Sequence, residues 1–325
     1  MTKEMTRRQW VCRVVPSSAA AAAGLGREET ILRAREIRPR PAPSPQAEGD
    51  PLPRGRIGKL EISRLILGGN LIGGFAHSRD LLYVSSLLKR YFTEDKVMET
   101  LRLAEAHGIN TVNTNPRATD LIRKYWKSGG KIQWIVQVYP DEEGKDLDEI
   151  KTSIDAGACA LYIQGNIADR LVRKGRLEVL GTVLDFIRRN GLPAGVAGHS
   201  LAVPRACEEA RLPVDFYVKT LHTHKYWSAM RPEQKNVEVV DNRADNFWCA
   251  DPEETIAFMK TVEKPWIAYK VLAAGAIHPA NGFPYAFVHG ADFVLAGIFD
   301  FQIAQDVEIA KHALERVGRT RPWRG

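Results

Sequence analysis

Cysteine is scarce in this sequence. Only four of the 325 residues are cysteines, and no two of them have the Cys-x-x-Cys spacing of zinc or redox motifs. Cys12 lies near the start of the chain, which leaves the odd number of Cys159, Cys207 and Cys249 in the rest. The sequence therefore argues against a fold that disulfides hold together.

Long apolar runs are also missing. A helix that crosses a bilayer needs roughly 20 predominantly apolar residues, and no stretch of this chain approaches that length. We therefore expect no transmembrane segment. The hydrophobic fraction of 44% is nevertheless sufficient for one large core.

The body of the chain lacks an excess of charge. Although the whole sequence carries +7, residues 1–60 hold 12 Lys and Arg against 6 Asp and Glu, and the remainder holds 34 against 33. A nearly neutral body does not provide the basic surface that binds a phosphate backbone. We therefore expect no nucleic-acid partner.

The first 26 residues have the composition of an export leader. Arg7 and Arg8 stand in the segment TRRQWV, which resembles the twin-arginine signal, and a tract of small residues follows at 17–26. This predicts export of the folded protein by the twin-arginine machinery to the bacterial periplasm or the cell exterior. A basic N-terminus with a chance Arg-Arg pair is the alternative, and the protein would then be cytoplasmic. Residues 27–55, rich in Pro and Arg, are predicted to be a linker.

Short runs rich in β-branched residues alternate with amphipathic segments in the remaining domain, 56–325. This alternation is typical of parallel strands that helices connect. The predicted strands are 62–68, 109–113, 133–138, 160–164, 194–198, 215–220, 266–270 and 293–297. Helices are predicted at 94–107, 147–156, 171–190, 204–210, 252–263 and 303–317. Eight strands in this pattern predict an α/β fold, the parallel (β/α)8 or TIM barrel.

Three segments resemble an aldo-keto reductase. Residues 56–69 read RIGKLEISRLILGG, similar to the hairpin and first strand of that family. Residues 104–116 read AEAHGINTVNTNP, similar to its second strand, and residues 191–200 resemble its fifth-strand segment. The resemblance covers most of residues 56–210 and implies a barrel of the aldo-keto reductase type.

The residues that carry this family's reaction do not match. The family uses Asp, Tyr, Lys and His to supply a proton while a nicotinamide delivers hydride, and the corresponding positions hold Asn113, Ala118, Gln137 and Gln164. An amide has no ionisable proton, and a methyl group has no donor. The chain also lacks a Gly-x-Gly-x-x-Gly motif. The resemblance thus implies the fold and argues against the family's NADP-dependent reaction.

Polar residues gather at the predicted carboxyl ends of the strands, where the active sites of this fold lie. Those expected to bind substrate are Asn70, Asn113, Asn115, Gln137, Gln164 and Asp300. The long segment 222–250 would cover the same end of the barrel. Its Trp227 is expected to stack against a substrate such as a sugar, and the alternative role for the aromatic residues of this segment is to anchor the loop.

Histidines follow the fifth and sixth predicted strands. His222 and His224 are two residues apart, so both rings would face the same way in an extended segment and could share one divalent metal ion, such as zinc, with His199. Cys249 could replace one of these ligands. Such a site would activate a water molecule. The alternative is that one or two of these histidines only bond to backbone.

Two lysines lie near strand ends. Lys270 ends the seventh predicted strand, and Lys219 lies in the sixth. A desolvated lysine has a lowered pKa and can act as a nucleophile or stabilise an enolate; it can equally bind a substrate carboxylate or hydroxyl group. With His199, these lysines are the predicted catalytic residues.

Glycines follow the last two predicted strands. Gly275 and Gly297 would let backbone amides approach a phosphate or another anionic part of a ligand. Close packing of strand against helix is the alternative. His278 is expected to begin a helix.

The sequence leads to one main hypothesis and two alternatives. The main hypothesis is an exported barrel enzyme with non-redox lyase, isomerase or hydrolase chemistry, with or without a metal ion, on a small polyhydroxylated or carbonyl substrate. The first alternative is an NADP-dependent oxidoreductase of the aldo-keto reductase type with a different acid, such as Lys270. The second is a non-catalytic barrel that binds a sugar or a protein partner.

Overall fold

The computed structural model describes residues 51–75, 77, 81–230 and 246–325. The predicted leader, 1–26, and nearly all of the predicted linker, 27–55, lie outside these residues. So does part of the long segment 222–250. Export from the leader stays a prediction.

Ten strands form a hairpin and a barrel within the described residues. The hairpin consists of β1 (Arg54–Ile57) and β2 (Leu60–Ser63). The barrel strands are β3 (Leu65–Gly68), β4 (Thr111–Thr114), β5 (Gln133–Val138), β6 (Ala160–Ile163), β7 (Ala194–Gly198), β8 (Phe216–Thr220), β9 (Trp266–Tyr269) and β10 (Phe293–Ala296). Each barrel strand pairs in parallel with the next, and β10 pairs with β3 to close the ring. The predicted (β/α)8 barrel is therefore confirmed.

Helices connect the barrel strands. They are α1 (Tyr83–Tyr91), α2 (Glu94–Ala106), α3 (Thr119–Lys127), α4 (Asp148–Asp155), α5 (Gly165–Arg173), α6 (Leu177–Arg189), α7 (Ala202–Glu209), α8 (Pro252–Thr261), α9 (Pro279–Val288) and α10 (Ile303–Glu315). None of the helices in the described ranges is long and apolar enough to cross a membrane.

Buried side chains form two layers, one inside the barrel and one between the strands and the helices. On β5, Ile135 belongs to the interior layer, whereas Trp134 and Val136 belong to the outer one. Successive side chains of a strand point to opposite faces. The parity of a residue at a strand end therefore decides whether its side chain enters the mouth of the barrel or the layer under the helices.

Some elements differ from the predictions. The predicted helix 171–190 is wrong as a single helix, because Gly175 adopts a left-handed φ of +69° and separates α5 from α6. The predicted strand 62–68 is interrupted at Arg64, where the hairpin ends and β3 begins. Helix α9 begins after His278 as expected, but its extent is not predicted by the sequence patterns, since Pro284 lies inside it.

A buried charged cluster closes the amino-terminal end of the barrel. Asp292, just before β10, accepts hydrogen bonds from Arg321 Nη1 at 2.6 Å, from Trp266 N at 2.9 Å and from Arg324 N at 2.8 Å. The side chains of Asp292 and Arg321 are fully buried. Arg321 also donates to three backbone carbonyl groups. The segment after α10 is thereby anchored under the strands.

Arg64 joins this cluster to the hairpin. Its Nη1 donates to the backbone oxygen of Asp292 at 2.9 Å, and its Nη2 donates to that of Gly325 at 2.8 Å. The guanidinium group also lies 3.8 Å from the centroid of the Trp323 ring. One arginine thus ties the start of β3 to the segment that follows α10.

We predict that Arg321→Leu lowers the free energy of unfolding by about 3–5 kcal/mol, because it removes the closer of the two cations that contact the buried Asp292 carboxylate and leaves the longer contact with Arg319, at 3.4 Å. Urea denaturation would measure this change. Arg316→Leu, at an exposed position just after α10, is the matched control and should change stability by less than about 0.5 kcal/mol. Equal effects of the two substitutions would contradict this account of the cluster.

Candidate functional site

The carboxyl ends of the eight barrel strands meet at one rim. Contacts among side chains there define a compact group, which we call the rim site. Its members are Asp169, His199, Trp248, Tyr269 and Lys270.

His199 follows β7, and the carboxylate of Asp169 on α5 holds it in place. Nδ1 of His199 lies 2.8 Å from Oδ2 of Asp169. The backbone N–H groups of His199 and Ser200 donate to the same carboxylate at 2.9–3.1 Å. Because an ionised carboxylate only accepts, Nδ1 carries the ring proton and Nε2 presents its lone pair. Within the described ranges no residue forms a hydrogen bond with Nε2.

The His199–Asp169 pair is buried, and each side chain is only 3% exposed. Burial lowers the pKa of His199 to about 4, although the hydrogen bond that His199 donates to Asp169 raises it. The positive charge of Lys270 lowers it further. The ring is therefore neutral at pH 7.

Lys270 and Trp248 form one wall of the rim site. Nζ of Lys270 lies 3.3 Å from the centroid of the Trp248 ring and 3.1 Å from Nε2 of His77. The Trp248 ring lies 4.8 Å from the His199 ring. The backbone of Lys270 has a left-handed φ of +58°, which residues other than glycine rarely adopt. The wall thus holds a cation whose charge acts on the imidazole.

Tyr269 also contacts His199, with ring centroids 5.5 Å apart. Its hydroxyl group is buried, and no residue in the described part of the chain bonds to it. A Cβ atom on Gly165 would lie 2.7 Å from this hydroxyl and 2.8 Å from Cε1 of His199. Only glycine therefore fits at the first position of α5, where the helix approaches both rings closely.

The structure gives the four predicted metal ligands other partners. These residues are His199, His222, His224 and Cys249. In the part of the chain that the structure describes, no group of three or more His, Cys, Asp or Glu residues is placed to hold a metal ion. Nε2 of His222 accepts from the backbone N–H groups of Trp248 and Cys249 at 2.9 and 3.0 Å, and its Nδ1 donates to the oxygen of Thr223. Nε2 of His224 lies 2.7 Å from the backbone oxygen of Cys249. The His-x-His pair therefore anchors the loop, and a zinc ion held by these residues stays a prediction.

Lys219 does not reach the mouth of the barrel. Phe216 and Val218 of β8 belong to the interior layer, so Lys219 points towards the helices. Its ammonium group donates to the backbone oxygens of His199 and Thr220 and to the Thr220 hydroxyl group. Burial lowers the pKa of Lys219. This arrangement gives Lys219 the role of a buried support for the strand ends.

The predicted amides have structural partners or line the mouth. Asn113 Nδ2 donates to the oxygen of Ile135, and its Oδ1 accepts from the Tyr162 hydroxyl group at 3.0 Å. Gln164 caps α5 by accepting from the backbone of Ile167. Asn115 caps a 3-10 turn, Gln137 lies half-buried on β5, and Asn70 is half-buried after β3.

The remaining predicted residues lie around the rim. Asp300 is buried and accepts from the Tyr91 hydroxyl group and from Lys96, so it positions α1 and α2. Trp227 is 79% exposed. Gly275 and Gly297 are both exposed after neighbouring strands. Nδ1 of His278 accepts from the backbone of Ala280, which confirms its predicted role at the start of a helix.

Sequence reasoning missed Asp169 and Tyr269. Asp169 lies in the middle of α5 among buried residues, and a carboxylate on the apolar face of an amphipathic helix is the signal that could have marked it. Tyr269 precedes the predicted Lys270 and reads as an ordinary strand residue. Its importance comes only from its position beside His199.

Comparison with solved structures finds similar barrels. Two structures of a Pseudomonas aeruginosa protein assigned as an aldo-keto reductase are each 17% identical to this chain, with TM-scores of 0.56 and 0.55. Each covers 82% of this chain, and the matches span 97% and 98% of those chains. At this identity the similarity shows the fold alone, an aldo-keto-reductase-like barrel, as the sequence motifs imply. The sequence matches no protein-family model and no curated protein.

We predict that His222 makes stability depend on pH. Burial lowers the pKa of His222 to about 3, and an unfolded histidine has a pKa near 6.5. The unfolded state therefore binds more protons, so the stabilisation is complete above pH 6.5 and is lost as the pH falls towards 3. The free energy of unfolding, measured by urea titration, falls for both proteins between pH 6.5 and 4.5. For His222→Gln this fall should be about 2 kcal/mol smaller than for the unmodified protein. His312→Gln, at an exposed site on α10, should keep the original dependence; if His222→Gln also keeps it, the ring is not held neutral.

Proposed function

We propose that this chain is an enzyme in which His199 acts as a general base in non-redox chemistry on a small carbonyl or polyhydroxylated substrate. One observation carries the proposal. The buried Asp169 carboxylate orients His199 so that Nε2, with its lone pair, is left without a hydrogen bond among the described residues.

The environment of His199 suits proton abstraction. The lowered pKa keeps the ring in its proton-accepting form at neutral pH. When Nε2 takes a proton, the carboxylate 2.8 Å from Nδ1 stabilises the imidazolium that forms. Hydrogen bonds from two backbone N–H groups hold that carboxylate in place, so little free energy is needed to reorganise it when the imidazolium forms.

Lys270 supplies the charge that such a reaction needs. Removal of a proton next to a carbonyl group sends an electron pair to the carbonyl oxygen, and an ammonium group stabilises the resulting enolate. Lys270 and His199 both pack against Trp248, and the positive charge of Lys270 lowers the pKa of His199, so the cation acts on the base. The backbone strain at Lys270 is typical of a residue that its surroundings hold for function.

This step needs no oxidant or reductant, because the electron pair stays within the substrate. The proton moves from carbon to Nε2 of His199, and the electron pair remains in the enolate. Return of the proton to a neighbouring atom completes an isomerisation. Transfer of the proton from Nε2 to a β-hydroxyl group, which then leaves as water while the enolate electron pair forms the C=C bond, completes an elimination. The absence of the Asp, Tyr, Lys and His set of aldo-keto reductases from the matched positions supports this choice over hydride transfer.

We predict that the protein exchanges carbon-bound hydrogen of a small aldehyde, ketone, sugar or 2-oxo acid in D2O, measured by NMR across a panel of such compounds. His199→Gln should slow this exchange by about 100- to 10,000-fold, because the general base is removed. His312→Gln should exchange at the original rate, since that residue lies on the surface of α10. Exchange that survives in His199→Gln would contradict the assignment. Absence of exchange together with NADPH oxidation would favour a reductase instead.

We predict that Lys270→Met raises the pKa of His199, because it removes a nearby positive charge that now lowers it. Titration of the Cε1–H signal of His199 by NMR measures this without a substrate. The low-pH limb of the exchange rate, which reflects protonation of His199 near pH 4, should move upward with it. An unchanged His199 pKa would show that Lys270 does not act on the imidazole.

A further inference from the structure

An exposed apolar face borders the mouth of the barrel at α1. The helix buries Leu88 and leaves several other apolar side chains in solvent. Leu82, Tyr83 and Leu87 are 90%, 60% and 56% exposed. Single exposed apolar residues are common on protein surfaces, but adjacent ones on one short helix are not.

Neighbouring loops extend this face along the rim. The hydroxyl group of Ser85 donates to the backbone oxygen of the glycine before Phe75, which brings that ring close to the helix. The Tyr91 ring contacts Phe299, and Phe299 stacks on Phe301 at 5.1 Å. We define the rim patch as Phe75, Leu82, Tyr83, Leu87, Tyr91 and Phe301, all of them exposed. These contacts join both the loop after β3 and the loop after β10 to α1.

Positive charge accompanies the rim patch. Helix α1 has the sequence YVSSLLKRY, with Lys89 and Arg90 in its last turn and no acidic residue. Both cations are exposed. In the helix that follows, Glu94 and Glu99 form ion pairs with lysines. An apolar patch with cations at its edge is complementary to the surface of an anionic bilayer. The apolar side chains enter the lipid, and lysine and arginine contact the lipid phosphates.

We propose that the rim patch, with Lys89 and Arg90, docks the mouth of the barrel on an anionic lipid surface. The helix would lie in the interface and would not cross the bilayer. The apolar side chains would enter the boundary of the acyl chains, and the two cations would contact the headgroups. Since the patch borders the mouth, a bound barrel would face the membrane with its rim. This inference does not depend on the reaction proposed for His199.

The test is flotation of the full chain with vesicles. Binding is measured to vesicles of phosphatidylcholine and phosphatidylglycerol in equal parts, and to phosphatidylcholine alone. Leu82→Ser with Leu87→Ser should weaken binding to the anionic vesicles about tenfold. Lys89→Gln with Arg90→Gln should weaken it about tenfold as well, and added salt should do the same. Arg123→Gln with Lys127→Gln, exposed on α3, removes the same charge elsewhere and should leave binding unchanged.

Two results would overturn the proposal. Residues 1–60 are basic and provide a second route to anionic vesicles. The serine variant changes no charge, so undiminished binding of that variant would assign the binding to residues 1–60. Failure of the unmodified chain to bind vesicles, together with a dimer in sedimentation equilibrium that the serine variant dissociates, would show that a second copy covers the patch.

Discussion

Closure of eight parallel strands into one ring is the constraint on which the site depends, because it brings every carboxyl strand end to the same rim. His199, Tyr269 and Lys270 come from β7 and β9, which are not neighbours in the ring, yet they contact one another or share a partner. Asp169 adds a group from the helix layer. The geometry of the base is therefore set by how closely α5 docks on the strands, and Gly165 permits that approach.

The sequence predicts the barrel well because the strands are short apolar runs separated by amphipathic segments. The motifs that resemble aldo-keto reductases also show which strand of the barrel each segment forms. The sequence predicts the site less well because side-chain direction at a strand end depends on parity. Lys219 lies one position from the interior series of β8, and that step places it beneath the helices. His222 and His224 do share a direction, as their spacing requires, but the backbone of 247–249 lies in that direction. The partner of His199 lies 30 residues away on a helix, beyond any local pattern.

Backbone strain is concentrated in one loop of the described structure. Lys270, Ala273 and Ala274 all have left-handed φ values, at +58°, +46° and +56°. Each such residue costs about 1–2 kcal/mol relative to an ordinary conformation. The loop after β9 therefore persists only because packing around Trp248 and the start of α9 outweighs that cost. It holds the Lys270 ammonium group in a fixed direction, where a relaxed loop would let a flexible four-carbon side chain sample solvent.

The link from Arg64 to Gly325 has a consequence for the timing of folding. The two residues are 261 positions apart, and the Asp292 cluster joins the same ends. A ribosome delivers about 5–20 residues each second, so β3 leaves the exit tunnel many seconds before the residues that seal its lower end. During that interval the first strand of the ring has one open edge. A nascent chain of this protein is thus exposed to strand pairing with other chains for most of its synthesis, and chaperone contact in that period would favour correct closure.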